Sequence, residues 1–162
     1  KSFSPIALHH HLVLGLQKPP VWPVPKEKLQ ELRSALKMSK SVQGSAMFLD
    51  DTPEEIAKKM NAAFCVEKNI EYNPVLDWCE HLVFPFVKDF SIERPEKFGG
   101  NVEYSDYSSL ESDFASGKLH PMDLKAGVAK AQVDILAPAR KHLSSEKSKK
   151  LKEEFEQLKV TR

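Results

Sequence analysis

The sequence predicts a mainly α fold, with a loop-rich first third carrying one strand and five or so helices after it. Three observations predict this. Proline-interrupted sequence without a long apolar period runs to about Asp50. Beyond it, apolar residues recur at spacings of three and four. Each of those runs opens on a capping side chain, several with proline just inside the start. The composition boundary therefore falls near Asp50, dividing the chain into residues 1–50 and 51–162. The second part, roughly 110 residues, is long enough to hold its own core.

In the first part, Ile6 to Leu16 is apolar around the triplet His9-His10-His11. It reads as a short buried strand running into a loop at Gly15. Pro19, Pro20, Pro23 and Pro25 then bar regular helix and strand. Trp22, among them, is expected to pin this extended stretch to a surface. Leu29, Leu32 and Leu36 give Lys26 to Leu36 a helical face. The loop Lys37-Met38-Ser39-Lys40-Ser41 follows and ends near Gly44.

The second part starts with Asp51-Thr52-Pro53-Glu54-Glu55, a strong helix opening. It offers a capping side chain, a first-turn proline and acids at the positive end of the helix dipole. Ile56, Met60, Ala63 and Phe64 continue on one face. Asn73-Pro74 opens a helix that turns Val75, Leu76, Cys79, Leu82 and Val83 inward, with Pro85 at its end. Phe90 to Asn101 reads as irregular or extended, broken by Pro95 and by Gly99-Gly100. Asp106 caps a short helix with Tyr107, Leu110 and Phe114, stopped by Gly117. His120-Pro121-Met122-Asp123 opens the longest helix, with Leu124, Val128, Ala131, Ile135 and Leu136 apolar. Pro138 is expected to kink or interrupt it. Ser144 or Ser145 caps a last amphipathic helix with Leu151, Phe155 and Leu158.

Bulk properties narrow the function classes. Charged residues are 29% of the 162 but nearly balanced, for a formal net charge of +1. No strong whole-molecule field results, so a nucleic acid would have to be met by a local patch. Cys65 and Cys79 are the only cysteines, and their spacing predicts neither a disulfide scaffold nor a zinc site. A reduced, cytoplasmic compartment is the plain reading. No segment approaches the ~18 apolar residues of a membrane span. The start, Lys1-Ser2-Phe3-Ser4-Pro5, does not read as a signal peptide, because the apolar run after it is short and broken by histidines. With no Met and apolar sequence almost at once, the chain is expected to begin inside a larger domain.

Lys37 to Ser41 is the sharpest local signal. Two lysines flank small hydroxyl residues. A lysine ammonium, a compact charge on a flexible stem, suits a triphosphate, and serine hydroxyls and backbone amides hydrogen-bond phosphate oxygens. Such lysines stabilise charge that develops on pyrophosphate as it leaves. A solvated Lys/Ser loop accounts for the string equally well when it is taken alone.

Its context decides. The string resembles the second signature of class I aminoacyl-tRNA synthetases, and the sequence after it resembles the tyrosyl-tRNA synthetases of archaeal and eukaryotic type. The resemblance rests on Ala62-Ala63-Phe64-Cys65, Glu71-Tyr72-Asn73-Pro74-Val75-Leu76, Arg94-Pro95-Glu96-Lys97-Phe98-Gly99-Gly100, Leu110-Glu111-Ser112-Asp113-Phe114-Ala115 and Leu119-His120-Pro121-Met122-Asp123-Leu124-Lys125. Upstream, Leu8-His9-His10-His11-Leu12 and Gly15-Leu16-Gln17 also look like the stretch before that family's loop. It covers the chain from about Pro5 to Leu143.

The resemblance implies that residues 1–50 are the C-terminal piece of a Rossmann-type catalytic domain, contributing its last strand and ATP-site loop. It implies that residues 51–162 are a helical anticodon-binding domain. Lys37, Met38, Ser39, Lys40 and Ser41 would bind ATP, with Lys37 and Lys40 catalytic and Mg2+ accompanying the nucleotide. The family often has serine where Lys40 stands, so Lys40 helps rather than decides. Phe98 matches the aromatic that stacks on the first anticodon base. His120 matches the histidine of the same site, and Asp123 the acid that accepts from a guanine.

The physics agrees with these roles. Loop bases are read by aromatic stacking and by hydrogen bonds to their edges. A carboxylate in a first helical turn is stabilised by the dipole and can face guanine donors. Other readings stay open at this point: Phe98 as a core aromatic, His120 and Asp123 as helix caps, Met122 as packing. Lys125 is a weaker candidate, for phosphate. Arg140, Lys141, Lys147, Lys149, Lys150 and Lys152 make the C-terminal end basic, as a solvated face or a phosphate contact. With no carboxylate or cysteine near it in sequence, the histidine triplet is assigned no metal; a place near the nucleotide fits it better.

The family's first, glycine-containing histidine signature is not in this chain, nor is its tyrosine pocket. This piece alone is therefore expected to be inactive. The whole enzyme implied is a tyrosine–tRNA ligase acting on ATP, tyrosine and tRNA(Tyr), a homodimer through the absent half. The alternatives are a non-catalytic tRNA-binding module and tryptophanyl-tRNA synthetase.

Overall fold

The computed structural model describes residues 6–28, 32 and 35–158. The five helices expected after Asp50 are all present, and each start is set by a local cap. Thr52 caps α1 (Pro53–Ala62): its hydroxyl accepts from Glu55 N–H at 3.2 Å, and the Glu55 carboxylate accepts from Thr52 N–H at 2.8 Å. Two of the donors that every helix start leaves orphaned are thus satisfied reciprocally. Asp51 is not the cap. It is buried and accepts from Phe48 N–H at 2.7 Å and from Lys59 Nζ at 2.5 Å, anchoring the entry to α1.

Asn73 caps α2 (Pro74–Trp78), which widens without a break into a π turn, Cys79–Val83. Asp106 caps α3 (Tyr107–Ser116), and Gly117 ends it in the left-handed conformation, φ 84°. His120 caps α4 (Pro121–Leu143). Ser145 rather than Ser144 caps α5 (Glu146–Glu156).

Helix α4 is the centre of the fold, packed by α1, α2 with its π turn, and a small sheet. Ile56 and Met60 of α1, Val75 and Leu76 of α2, Leu110 and Phe114 of α3, and Leu124 and Val128 of α4 share one buried cluster. The segment Phe90 to Asn101, expected to be irregular or extended, begins as a strand, and the pairing of that strand is what the sequence did not show. Strand β1 (Phe90–Ile92) pairs antiparallel with β2 (Val102–Tyr104), with Phe90 opposite Tyr104 and Ile92 opposite Val102. Phe90 and Ile92 point into the core and Ser91 out, the period of two for a half-buried strand. Gly127 lets α4 lie against β1, since a Cβ there would stand 2.8 Å from Ile92 Cγ1.

Other expectations change. Helix α4 runs through Pro138 uninterrupted. Pro138 and Asp134 are exposed, so the carbonyl four residues before the proline, which it leaves unpaired, can be hydrated. Arg140 Nη2 donates to Val133 O at 2.5 Å across the same turn. Leu151 and Phe155 of α5, with Leu158, are exposed, so the amphipathic face is present but not buried.

The buried strand over Ile6 to Leu16 is not formed. Ile6 and Leu8 are 92% and 91% exposed, and only Leu14 pairs, in a single antiparallel bridge with Lys37. A buried strand needs a neighbour on its edge and cover on its faces, and the described residues supply neither to Ile6 or Leu8. Of the helix expected over Lys26 to Leu36, Leu29 lies outside the described residues, Lys26–Lys28 forms a single tight turn and Leu36 is buried. Trp22 packs edge-on against Phe64, ring centroids 4.9 Å apart, as a pin for the proline stretch. No helix of the described residues is long and apolar enough to cross a membrane.

Candidate functional site

Two groups of candidate residues sit at separate places. The first is the loop Lys37 to Ser41. Its root is fixed by Gly15, whose N–H donates to Leu36 O at 2.7 Å. A Cβ on Gly15 would lie 2.9 Å from Lys37 O, so only glycine lets the two backbones approach this closely. Ser45 closes the loop from the other end: its hydroxyl accepts from Ser39 N–H at 3.0 Å and donates to Ser39 O at 2.6 Å. Met38 packs against the core, while Lys37, Lys40 and Ser41 are exposed. The loop is thus held at its base and presents two cations and a hydroxyl to solvent. Its donors are ammonium groups and hydroxyls without a carboxylate, which fits phosphate and does not fit Mg2+ as a resident ion.

The second group surrounds the start of α4. Phe98 is 60% exposed, which excludes the core aromatic reading. Lys97 Nζ lies 4.9 Å from its ring centroid. Gly99 and Gly100 follow with φ 97° and 70°, left-handed values that favour glycine and fold the chain back beneath the ring. Arg94 holds this loop. Its Nε donates to Gly100 O at 2.9 Å, and its Nη1 to Lys118 O at 3.0 Å, two residues before His120. Its backbone N–H donates to Asn101 Oδ1 at 3.0 Å. In the sequence Arg94 stands out only as the first residue of the Arg94-Pro95-Glu96-Lys97-Phe98-Gly99-Gly100 block. Its tethering role could not be read there, because Lys118 is 24 residues away.

His120 does cap: Nδ1 accepts from Met122 N–H at 3.2 Å, and among the described residues Nε2 has no hydrogen-bond partner. Capping and base contact therefore use different nitrogens and are compatible. Asp123 is half-buried in the first turn of α4, and Met122 is exposed. Lys125 corrects the phosphate expectation. It is buried, and Nζ donates to Asn61 O at 3.1 Å, closing the C-terminal end of α1.

The basic end is partly committed: Lys152 Nζ pairs with Asp50 at 3.0 Å, while Lys141, Lys147, Lys149 and Lys150 are exposed. Both thiols are free and burial pushes their pKa values up, most for the fully enclosed Cys79. Among the histidines, His9 and His10 are exposed. His11, which has no acid near it in sequence, meets Asp77 at 2.7 Å in the fold.

The model of the tRNA synthetases class I (W and Y) matches residues 11–137. The tyrosine–tRNA ligase of Thermococcus onnurineus is 48% identical over 164 residues, covering all of this chain and 43% of that protein. That of Thermococcus sibiricus is 51% identical over 144 residues, covering 88% of this chain and 38% of that protein. The crystal structure of the Pyrococcus horikoshii tyrosyl-tRNA synthetase complexed with L-tyrosine superposes with a TM-score of 0.78 at 48% identity. That match covers 83% of this chain and 37% of the other. The chain thus spans less than half the length of the relatives it matches.

Proposed function

The chain belongs to the class I tRNA synthetases of the tryptophan and tyrosine family, and we propose that it is the part of a tyrosine–tRNA ligase that carries the ATP-site loop and reads the anticodon. Residues 1–50 close the nucleotide-binding half, and residues 51–162 bind the tRNA. One observation carries the RNA part. Arg94 ties the loop that carries the exposed Phe98 to the turn before His120, which holds the segment bearing the open ring beside the segment that leads into His120 and Asp123. A splayed guanine would stack on Phe98, donate from N1 and N2 to the Asp123 carboxylate, and meet His120 at its edge. That the similar proteins from Thermococcus are tyrosine–tRNA ligases favours tyrosine over tryptophan.

The proposed reaction of the whole enzyme has two steps. The tyrosine carboxylate attacks the α-phosphorus of ATP, and pyrophosphate leaves. The terminal ribose hydroxyl of tRNA(Tyr) then attacks the tyrosyl carbonyl, and AMP leaves. Lys37 and Lys40 neutralise the leaving pyrophosphate, with Ser39 and Ser41 as hydrogen-bond partners. Mg2+ would arrive with the triphosphate, since the loop has no carboxylate to hold it.

The full-length enzyme tests both parts. Lys37→Ala should lower ATP–pyrophosphate exchange ~100-fold or more and leave the affinity for tRNA(Tyr) unchanged. Phe98→Ala should do the reverse, weakening tRNA(Tyr) by ~1–3 kcal/mol. Equal losses of exchange and binding in either variant would contradict the division of labour, and tighter retention of tRNA(Trp) than tRNA(Tyr) on filters would contradict the substrate.

A further inference from the structure

The fold brings His11 to Asp77 and His81, two side chains far from it in sequence, and all three can ligate a metal. His11 Nε2 lies 2.7 Å from Asp77 Oδ1, and His81 Nε2 lies 3.9 Å from the same oxygen. All three ligand atoms fall within 4.8 Å of one another. We propose that His11, Asp77 and His81 form a binding site for a borderline divalent cation, Zn2+ first among them.

Four features support the assignment. Asp77 and His81 are four residues apart on α2 and its π turn, so they project from one face, and helix-borne ligands of zinc commonly use that spacing. A π turn inside a helix often marks a functional position. The carboxylate is aimed: Leu14 N–H donates to Asp77 Oδ2 at 2.8 Å, leaving Oδ1 for the histidines, the outer-shell support that ligating carboxylates use. The segment behind it is fixed too, since Trp78 Nε1 donates to Leu14 O at 2.8 Å.

The donor geometry is close to what a metal needs. Ligand distances of ~2.0–2.2 Å in a tetrahedron place donor atoms about 3.3 Å apart. The observed separations from Asp77 Oδ1 bracket that value. The two imidazoles stack with centroids 3.8 Å apart and would have to open slightly to share one ion. Glu80 Oε2, 3.6 Å from His81 Nε2, is a fourth donor within reach, with water as the other choice.

Charge and access agree. His11 and Asp77 line a cleft of about 610 Å³ with Glu80, Glu111 and one cation, Lys37, also on its wall. Three acids against one lysine leave a negative field for a cation to enter. Asp77 is 12% exposed and His11 43%, so the ligands are ordered yet reachable. Two imidazoles with one carboxylate suit Zn2+ and not Mg2+ or Ca2+, which take oxygen ligands. The ion would clip residue 11 to α2 across 66 residues of chain, behind the Leu14–Lys37 bridge that roots the lysine loop. The assignment does not depend on the reading of the chain as part of a ligase.

The test is Zn2+ binding to the full, untagged chain after treatment with chelator. One equivalent should bind and raise the melting temperature. His81→Gln should weaken binding at least as much as loss of an outer-shell partner does, ~10–100-fold, and His9→Gln should leave it intact. Co2+ on the unsubstituted chain should give the visible absorption of a site with imidazole ligands, a readout that needs no variant to fold. Mg2+ should not compete. Failure of the unsubstituted chain to take up one equivalent, or retention of full affinity by His81→Gln, overturns the site, as does loss of binding in His9→Gln instead.

Discussion

Arg94 commits its guanidinium to two backbone carbonyls, Gly100 O and Lys118 O, from two segments that a candidate anticodon site requires side by side. The consequence can be measured. Arg94→Ala removes both bonds and should cost about 1.5–3 kcal/mol of stability, the range for a hydrogen bond with a charged partner. It should also weaken tRNA(Tyr) by a large fraction of the Phe98→Ala loss while leaving ATP–pyrophosphate exchange unaffected. Arg94→Lys should rescue little, because an ammonium cannot span both carbonyls as a planar fork does. A stability loss with tRNA affinity intact would reduce Arg94 to a fold residue. Residues of this kind show what was legible at this scale. His120 and Asp106 were readable as caps because a cap acts within three residues. Burial was not readable. Phe98, a large aromatic, is open, and Lys125, a cation, is closed over Asn61 O, because each depends on what packs above it rather than on its neighbours in sequence. The His11–Asp77 contact, 66 residues apart, was hidden for the same reason.

Among the elements, the five helices were legible because each start is a local hydrogen-bond pattern and each face a period of three and four. The hairpin was not, since three-residue strands are too short to show alternation. Helix α5 behaves differently from the other four. Its apolar side chains Leu151 and Phe155 are exposed, and an ion pair, Lys152 to Asp50 at 3.0 Å, ties it back to the entry of α1. That pair lowers the Asp50 pKa below 3.8, through the Lys152 hydrogen bond first, and raises that of Lys152 above 10.5, through the Asp50 hydrogen bond first. The signs define a window. The lowered carboxylate stabilises docking above its unfolded pKa, and the contribution disappears as pH falls through the folded value. The raised lysine stabilises below its own unfolded pKa, and its contribution disappears as pH rises through the folded one. Docking of α5 should therefore be firm near neutral pH, weaken below about pH 4 and weaken at high salt, as expected of an exposed pair. Amide exchange along α5 checks this. Protection relative to the intrinsic exchange rate should fall in Asp50→Asn at neutral pH to the level that the unsubstituted chain shows in acid, whereas that of α4 should not change.

For the whole molecule, the question is whether the proposed division at residue 50 separates two folding units. The packing crosses it. Leu16 is 1% exposed and belongs to the same buried cluster as Ile56, Val75 and Leu124. Hydrogen bonds join the parts as well, among them Phe64 N–H to Leu16 O at 2.7 Å, Trp78 Nε1 to Leu14 O at 2.8 Å, and Leu14 N–H to Asp77 at 2.8 Å. A composition boundary marks where the pattern of residues changes, and nothing in that pattern reports which side chains later meet across it. Removing residues 1–50 should accordingly cost more than the loss of a linker. A buried leucine removed from a core costs ~2–5 kcal/mol, and each buried donor left without a partner adds ~1–3 kcal/mol. Against the ~5–15 kcal/mol that holds a domain folded, the shortened chain 51–162 should retain little stability. Its urea midpoint should fall well below that of the intact chain, and its transition should lose cooperativity. Leu16→Ala in the intact chain should reproduce about half of the shift without disturbing the lysine loop. If chain 51–162 instead unfolds at the same midpoint as the whole, residues 1–50 contribute nothing to the helical core, and the two parts are joined by contact alone.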